Sequence, residues 1–243
     1  MQMSRSPSRW SRIAVPNWLV PAAALLFVAG IVVWNRLPEW LESNDVGAGI
    51  KALGGTISPE DVRSADQVLV VNLPNSRIDD EGMQLLVAMS NLEHIDLSNT
   101  RITDAGVACL AGATSLRSLE LSDTGVTDVG LHKLAGLTQL RNLAVNSTAV
   151  SDRGLSVVAG MPLLKGLDIE NTQVTDAGLV YVGKLKNLQM LSVLGNRGVT
   201  DRGLEQLHEL HSLRFLQLRG TGTSPDGIER LERALPSMTV EHQ

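Results

Sequence analysis

The amino-acid sequence repeats itself every 24 residues over most of its length. Seven copies of one pattern follow each other, and they begin at Val68, Leu92, Leu116, Leu140, Leu164, Leu188 and Leu213. The copy at Leu188 is one residue longer, with the extra residue near positions 196–198. A period of this size is typical of solenoids, in which each unit buries its apolar face only against its neighbours. Residues 68–235 are therefore predicted to form a stack of seven similar units.

The first half of each copy has the pattern of a short strand. Its first, fourth and sixth positions are apolar in every copy, as in Leu92, Ile95 and Leu97. Residues two positions apart point to the same side of a strand, so positions four and six give each strand one buried face. Seven such strands in successive units are predicted to pair as a parallel sheet.

The second half of each copy has the pattern of a short helix, T-D-x-G-L-x-x-L. The hydroxyl of a residue such as Thr127 is a good N-cap, and the following carboxylate, here Asp128, complements the positive end of the helix dipole. All seven copies also carry a glycine in one column: Gly82, Gly106, Gly130, Gly154, Gly178, Gly203 and Gly227. Glycine in a helix costs about 1 kcal/mol relative to alanine. The column therefore predicts a close approach of neighbouring units that leaves no room for a Cβ.

The complete pattern L-x-x-L-x-L-x-x-T-x-V-T-D-x-G-L-x-x-L resembles the leucine-rich repeat family, in its bacterial variety with short helices, over residues 68–235. The resemblance implies an α/β solenoid, with a parallel β-sheet on the concave face and short helices on the convex face. One column departs from the family pattern, because threonine replaces the usual asparagine at Thr100, Thr124, Thr148, Thr172 and Thr221. The asparagine ladder of the family is thus replaced by hydroxyls, which make fewer hydrogen bonds.

The flanks of the repeats are predicted to close the two ends of the stack, which would otherwise expose the core. Residues 46–67 are assigned to an N-terminal cap, in which Gly54 ends a short helix. Three apolar side chains of this cap are expected to cover the first repeat: Ile50, Leu53 and Ile57. Residues 236–243 are assigned to a C-terminal cap strand and tail. The last repeat is itself irregular, with Pro225 in the aspartate column.

The N-terminal segment differs in composition from the repeats. Residues 13–35 contain no charged side chain, and about 20 apolar residues in a helix cross the core of a bilayer. Trp18 and Trp34 flank the most apolar stretch, and tryptophan prefers the membrane interface. A transmembrane helix is therefore predicted over residues 13–35. The alternative is a cleaved signal peptide, but the apolar run continues to Trp34 without an A-x-A-like exit.

The arginines set the expected orientation of this helix. Arg5, Arg9 and Arg12 precede it without any acid, so the positive-inside rule places residues 1–12 in the cytoplasm and the repeats on the extracytoplasmic side. Residues 36–45 are interpreted as a polar linker. The net charge of the whole chain is −5. That value argues against nucleic acid as a partner, because phosphate binding needs a basic face.

The exposed strand positions hold the candidate binding site, because the fold already explains the other columns. An acidic row at the fifth position consists of Asp96, Glu120 and Asp168. A basic row at the second position consists of Arg117, Arg141 and Lys165, with Arg214 further on. Neighbouring strands are about 4.8 Å apart, so like charges in a row repel. The rows indicate either a bipolar groove for a protein or peptide of complementary charge, or an ordinary solvated face.

Three more exposed residues complete the predicted ligand-binding set: His94, Glu170 and Phe215. Phe215 also belongs to an apolar cluster with Met190 and Leu194 near the last strands. Such a cluster either marks an interface or lies under the loop at 196–198.

The sequence gives little support for catalysis. His94, Asp96 and Ser118 have the composition of a nucleophile, base and orienter, but residues two apart on a strand lie about 6.6 Å apart and an open sheet face offers no oxyanion hole. No enzyme activity, metal or cofactor is predicted. The predicted function is a membrane-anchored module of the bacterial cell envelope that binds a protein or peptide through its concave face. The alternative is a structural or self-associating envelope protein without a dedicated ligand.

Overall fold

The computed structural model describes residues 46–58, 70–87, 89 and 91–242. The predicted transmembrane helix at 13–35, the basic tail before it and the linker after it lie outside the described residues. Within the described ranges, no helix combines the length and the apolar character that a membrane crossing requires.

In the described part of the chain, nine three-residue strands form one sheet and pair in chain order. They are β1 (Thr56–Ser58), β2 (Val70–Asn72), β3 (His94–Asp96), β4 (Ser118–Glu120), β5 (Asn142–Ala144), β6 (Gly166–Asp168), β7 (Met190–Ser192), β8 (Phe215–Gln217) and β9 (Thr239–Glu241). Pairing from β2 to β9 is parallel, as the repeat predicts, and β1 runs antiparallel to β2. The register aligns equivalent positions of successive repeats, so that Asp96 lies opposite Glu120.

Each strand from β2 to β8 is followed by a turn that leads into a short helical segment. The α-helices are α1 (Val46–Ala52), α2 (Asp104–Ala108), α3 (Asp128–Lys133), α4 (Asp152–Leu155), α5 (Asp176–Val182), α6 (Asp201–Leu204) and α7 (Pro225–Ala234). Short 3-10 helices occupy Gly82–Leu85, Cys109–Gly112, Ser156–Gly160 and Glu205–Leu207. Successive helices from α2 to α7 contact each other, so the helices stack along one side as the strands do along the other. The structure therefore has the α/β solenoid architecture expected from the repeat.

The apolar columns form one continuous core between the sheet and the helices. Positions one, four and six are buried wherever the structure describes them, as with Leu116, Leu119 and Leu121. Ile50 of α1 and Ile57 of β1 belong to the same core, so the N-terminal flank covers the first repeat. The antiparallel strand β1 was not expected, because its three residues carry no repeat pattern of their own.

A sharp turn after each strand uses left-handed backbone in all seven repeats. The residues with positive φ are Asn75, Asn99, Asp123, Ser147, Asn171, Gly195 and Gly220, with φ between 50° and 77°. L-residues rarely adopt this conformation, and asparagine, aspartate and glycine tolerate it best. Five of the seven are not glycine, and for that reason the sequence pattern does not reveal the turn.

The threonine column behaves as expected, but Ser76 and Asn196 replace threonine in the first and sixth repeats. Each threonine hydroxyl donates a hydrogen bond within its own repeat, as from Thr148 to the carbonyl of Val145 at 2.6 Å. Asn196 occupies the same column, and its amide joins two repeats. Its Oδ1 accepts from the backbone N–H of Thr172 at 2.8 Å, and its Nδ2 donates to the carbonyl of Ile169 at 2.8 Å. Asn196 is therefore the one residue of this column that makes the bridging bonds of an asparagine ladder.

Candidate binding site on the exposed face of the sheet

The carboxylates of the helical side belong to the fold. The Oδ1 of Asp104 accepts hydrogen bonds from the backbone N–H groups of Thr127 at 2.7 Å and Gly130 at 2.9 Å, and its Oδ2 accepts from the hydroxyl of Thr127 at 2.7 Å. The same contact to the next repeat recurs along the solenoid. We call this set the aspartate ladder: Asp80, Asp104, Asp128, Asp152, Asp176 and Asp201. Each carboxylate thus satisfies backbone donors at the start of the following helix, which otherwise have no partner within that helix.

The aspartate ladder also explains the glycine column. A Cβ on Gly154 would lie 2.5 Å from Oδ1 of Asp128, and one on Gly178 would lie 2.6 Å from Oδ1 of Asp152. The close approach of repeats predicted from the glycines is confirmed from the second repeat onward, where its partner is the aspartate of the preceding repeat.

Two members of the aspartate ladder have lowered pKa values. Burial alone would raise the pKa of Asp128, but hydrogen bonds from Ser151 and Gly154, together with nearby Arg153, hold it below its ordinary value. The hydrogen bonds from Ser224 hold the pKa of Asp201 below its ordinary value, and Arg230 adds to the effect. Both carboxylates are stabilised in their charged form.

The acidic row on the sheet is in the opposite situation. Burial is the main cause that raises the pKa of half-buried Glu120, and the negative charges of Asp96 and Asp168 raise it further. Burial also raises the pKa of Asp168, with Glu170 adding to the effect and a hydrogen bond from Asn146 opposing it. No cation among the described residues contributes to either shift. The row therefore gathers negative charge that the protein itself leaves uncompensated.

Hydrogen bonds hold three carboxylates of this face in place: Asp96 and Asp168 of the row and the nearby Glu170. The Nδ2 of Asn146 donates to Asp168 at 2.7 Å, and the hydroxyl of Ser192 donates to Glu170 at 2.7 Å. Asp96 accepts from the backbone N–H and the hydroxyl of Ser98, at 2.9 and 2.6 Å. These bonds hold the acidic side chains on the face of the sheet.

A depression of about 430 Å³ lies on the face of strands β4 to β8. Its floor is low because Ala144 and Gly166 offer almost no side chain, and a Cβ on Gly166 would lie only 2.8 Å from Oδ1 of Asn142. The depression is lined by acidic and apolar side chains: Glu120, Asp168, Met190 and Phe215. We call it the sheet depression. Met190 is 52% exposed, so the loop at 196–198 does not cover this part of the apolar cluster.

The basic row lies where the strands begin. Arg117 pairs with Glu93 at 3.2 Å, whereas Arg141 and Lys165 are exposed and take part in none of the ion pairs found among the described residues. Arg214 donates from Nη1 to the carbonyl of His211 at 2.9 Å. Arg141 and Lys165 are therefore the basic groups of this row that remain available to a ligand.

The possible catalytic group does not assemble. His94 and Ser118 are cross-strand neighbours, but Asp96 is engaged by Ser98, and no hydrogen bond joins it to His94 in the described ranges. The described residues also contain no group of three or more histidine, cysteine, aspartate or glutamate side chains placed to hold a metal ion.

Comparisons with known proteins agree with the repeat architecture. The sequence model of the leucine rich repeat matches residues 90–150. An internalin (inlF) from Listeria monocytogenes has 23% identity and a TM-score of 0.63, over 81% of this chain and 54% of its own. An internalin C2 (inlC2) from the same organism has 24% identity and a TM-score of 0.55, over 82% and 93%. This chain spans about half the length of the first structure, and no curated protein matches it. Residues 90–150 thus match the leucine rich repeat, and the fold of the described residues is similar to that of the two internalin structures.

Proposed function

We propose that this protein is a membrane-anchored binding module whose sheet face holds a protein or peptide. The observation that carries the proposal is that half-buried Glu120 and Asp168 line one depression and form no ion pair among the described residues. Burial and like charges raise the pKa of both groups, which means that their charged forms are disfavoured in the folded protein. A ligand that brings a cation to these carboxylates would relieve this penalty.

The surroundings of the carboxylates specify the kind of ligand further. Exposed Met190 and half-buried Phe215 line the same depression, so apolar contact and charge are available together. Curved solenoids present extended surfaces of this kind to protein partners. A protein or peptide segment with a basic group next to an apolar residue is the ligand that fits.

A cross-linking experiment on the full chain in its native membranes tests this proposal. A photoreactive p-benzoylphenylalanine would replace Asn142 beside the sheet depression, and in a separate sample it would replace exposed Ala177 on the helical side. We expect an adduct with another protein at position 142 and not at 177. Glu120→Gln with Asp168→Asn should abolish the adduct.

The matched control changes two exposed carboxylates of the helical side, Glu205→Gln and Glu232→Gln, and should leave the adduct intact. An adduct that persists when Glu120 and Asp168 are changed would contradict the proposal. An adduct only with a second copy of the chain would instead favour a self-associating envelope protein.

The membrane anchor is a separate part of the proposal. It is supported by the uncharged residues 13–35 and by the three arginines that precede them. The full chain is expected to stay with membranes after alkaline extraction, and protease added on the extracytoplasmic side of the intact membrane should digest the repeats. Release by alkali, or protection of the repeats, would contradict this part. Neither result alters the test of the sheet face.

A further inference from the structure

We infer that the edge of the sheet where strands β4 to β7 begin binds the anionic phospholipid surface of the membrane. This contact is separate from the ligand of the sheet face, and it takes only the membrane anchor from the proposed function. It follows from an unequal distribution of charge between the two edges of the sheet.

The two edges of the sheet carry opposite charges. The strands are parallel and in register, so their starts line one edge and their ends line the other. The segments that lead into β4, β5, β6 and β7 form the basic edge: residues 110–117, 134–141, 158–165 and 182–189. The segments that follow β3, β4, β5 and β6 form the acidic edge: residues 98–104, 122–128, 146–152 and 170–176. The basic edge contains five basic residues and no acid, whereas the acidic edge contains six acids and one basic residue, Arg101.

The backbone places basic residues of this edge in a regular row. The N–H of Arg141 donates to the carbonyl of Arg117, and the N–H of Lys165 donates to the carbonyl of Arg141, both at 2.7 Å. Each of these residues directly precedes a strand, so consecutive residues of the row are about 4.8 Å apart. Lys184 and Lys186 add further positive charge in the segment before β7.

Three of the five cations on the basic edge are available to a partner. Arg141, Lys165 and Lys184 are exposed, and they take part in none of the ion pairs found among the described residues. The Nζ of Lys184 lies 5.4 Å from the centre of the Tyr181 ring. The other two cations pair with acids outside the four segments: Arg117 with Glu93 at 3.2 Å and Lys186 with Glu209 at 3.0 Å.

An apolar side chain lies among these cations. Leu163 is 37% exposed, and it precedes Lys165 by two residues. The carbonyl of neighbouring Pro162 accepts a hydrogen bond from Nδ2 of Asn187 at 2.9 Å, so the next segment of the basic edge holds this loop in place. Binding to a membrane interface depends on buried apolar area and on the attraction of basic side chains to anionic lipids. The basic edge offers both.

The proposed anchor brings an anionic surface within reach of this edge. Ten residues separate the end of the predicted membrane helix at 35 from the start of α1 at Val46, and ten residues of chain span at most about 35 Å. The same surface repels the acidic edge, so the charges favour the orientation in which the basic edge contacts lipid. Lipid headgroups also move within the bilayer and can follow the row, whereas an acidic protein needs acids at matching positions.

Fluorescence quenching with the full chain in lipid nanodiscs tests this inference. Gln139 and Ala149 are exposed residues on the two sides of β5, one on each edge. A fluorophore is attached at Gln139→Cys or at Ala149→Cys, in a chain that also carries Cys109→Ser. A nitroxide on some of the lipid headgroups quenches a fluorophore that contacts the surface. The nanodiscs contain phosphatidylcholine alone or an equal mixture with anionic phosphatidylglycerol.

The fluorophore at position 139 should be quenched in the presence of phosphatidylglycerol, and the one at 149 should not. A rise in salt from about 0.1 M to about 1 M should remove the quenching, because the Debye length falls from about 10 Å to about 3 Å. Arg141→Gln with Lys165→Gln should lower the equilibrium constant for contact about thirtyfold, which corresponds to about 1 kcal/mol for each cation. Arg101→Gln with Arg197→Gln removes the same charge from exposed residues that follow the strands, and should leave the quenching unchanged.

Equal quenching at positions 139 and 149, no dependence on phosphatidylglycerol, or quenching that persists in the Arg141→Gln, Lys165→Gln variant would overturn the inference. So would a protein adduct of p-benzoylphenylalanine at position 139 in native membranes that is lost in this variant, because it would assign the basic edge to an acidic protein.

Failure of the proposed function gives different results. Release of the full chain by alkali would contradict the anchor, and the labelled chain added to vesicles of both compositions would then decide the lipid contact by the same quenching. The adduct at position 142 tests the sheet face separately, since neither Arg141 nor Lys165 lines the sheet depression.

Discussion

Glu120 and Asp128 lie eight residues apart in the same repeat, yet their carboxylates have opposite environments. Asp128, on the helical side, accepts hydrogen bonds from the amide and the hydroxyl of Ser151 at 2.7 and 2.6 Å, and its pKa is lowered. Glu120, on the sheet side, is half-buried beside other acids, and its pKa is raised. The charge of Asp128 is stabilised by hydrogen bonds within the protein, whereas Glu120 forms no ion pair among the described residues.

The difference follows from the repeat itself. The aspartate column recurs because every repeat presents the same backbone donors to its neighbour, so its acids are needed by the fold. The fifth position of the repeat, which lies on the strand, varies among asparagine, aspartate, glutamate, alanine, serine and glutamine. Among the described residues, no hydrogen bond from the next repeat reaches the carboxylates of Asp96, Glu120 or Asp168 at this position, whereas Glu170, two residues further on, accepts one from Ser192. Acids that follow the period support the solenoid, and acids that depart from it are candidates for binding.

The largest effect is expected from Gly154→Ala, which places a Cβ 2.5 Å from Oδ1 of Asp128. The clash would displace the carboxylate and lower the free energy of unfolding by about 3 kcal/mol, measured by urea denaturation. Gly160→Ala is the matched control, because a Cβ there meets nothing within 4 Å. Equal stability of the two variants would show that the glycine column has another cause.

A smaller loss is expected from Asp128→Ala, which keeps the glycine and removes only the acceptor. The amide and hydroxyl of Ser151 would lose their partner, at a cost of about 2 kcal/mol. Glu205→Ala, at an exposed helical position, should change the free energy of unfolding by less than about 0.5 kcal/mol. If Asp128→Ala lowered the free energy of unfolding no more than Glu205→Ala does, the acids of the ladder would contribute no more to stability than exposed surface acids.

The dependence of the free energy of unfolding on pH should differ in direction for Asp128 and Glu120, because the pKa of Asp128 is lowered and that of Glu120 is raised. Because the folded pKa of Asp128 is lowered, its contribution is present above about pH 4 and lost as the pH falls through the folded value. Asp128→Asn should therefore flatten the acid limb of the stability curve, by about 1 kcal/mol or less after allowance for solvent. Thermal unfolding between pH 2 and pH 7 measures this, and an acid limb that stays equally steep would contradict it.

The smallest effect is expected from Glu120→Gln, and it has the opposite direction. Because the folded pKa of Glu120 is raised, its charged form destabilises the protein at neutral pH, and protonation relieves this as the pH falls through the raised value. The substitution should stabilise the protein by less than about 1 kcal/mol at pH 7 and leave stability near pH 4 almost unchanged. A loss of stability at pH 7 would mean that Glu120 has a structural role.

The solenoid, its core and its helix N-caps could be predicted from the sequence, because each depends on one column and its period. The hydroxyl of Thr127, for example, accepts from the N–H of Val129 as the N-cap pattern predicts. The acceptor role of Asp128 could not be predicted, because its donors belong to the next repeat, 23 residues away. The pattern within one repeat predicts only that this carboxylate stabilises the N-terminus of its own helix.

The candidate site was predicted in its charges but not in its shape. The acidic and basic rows follow from the strand positions. The sheet depression exists because Ala144 and Gly166, which lie diagonally to each other on β5 and β6, both lack a large side chain. The search for charged columns gave no reason to single out these two small residues. The role of Asn196 was missed for a related reason, since it lies at the one-residue insertion where the period shifts.

The aspartate ladder gives the contact between repeats a direction, because the acceptor always lies in one repeat and its donors lie in the next. Every internal repeat offers donors to the unit before it and an acceptor to the unit after it, so any two repeats are compatible neighbours. Deletion of residues 116–139 would bring Asp104 to the donors of Ser151 with the same chemistry as its present contact with Thr127. Pro225 stands in the aspartate column of the last repeat and supplies no carboxylate. The ladder contact is therefore compatible with insertion or deletion of whole repeats, whereas the charged rows on the sheet face change by single substitutions.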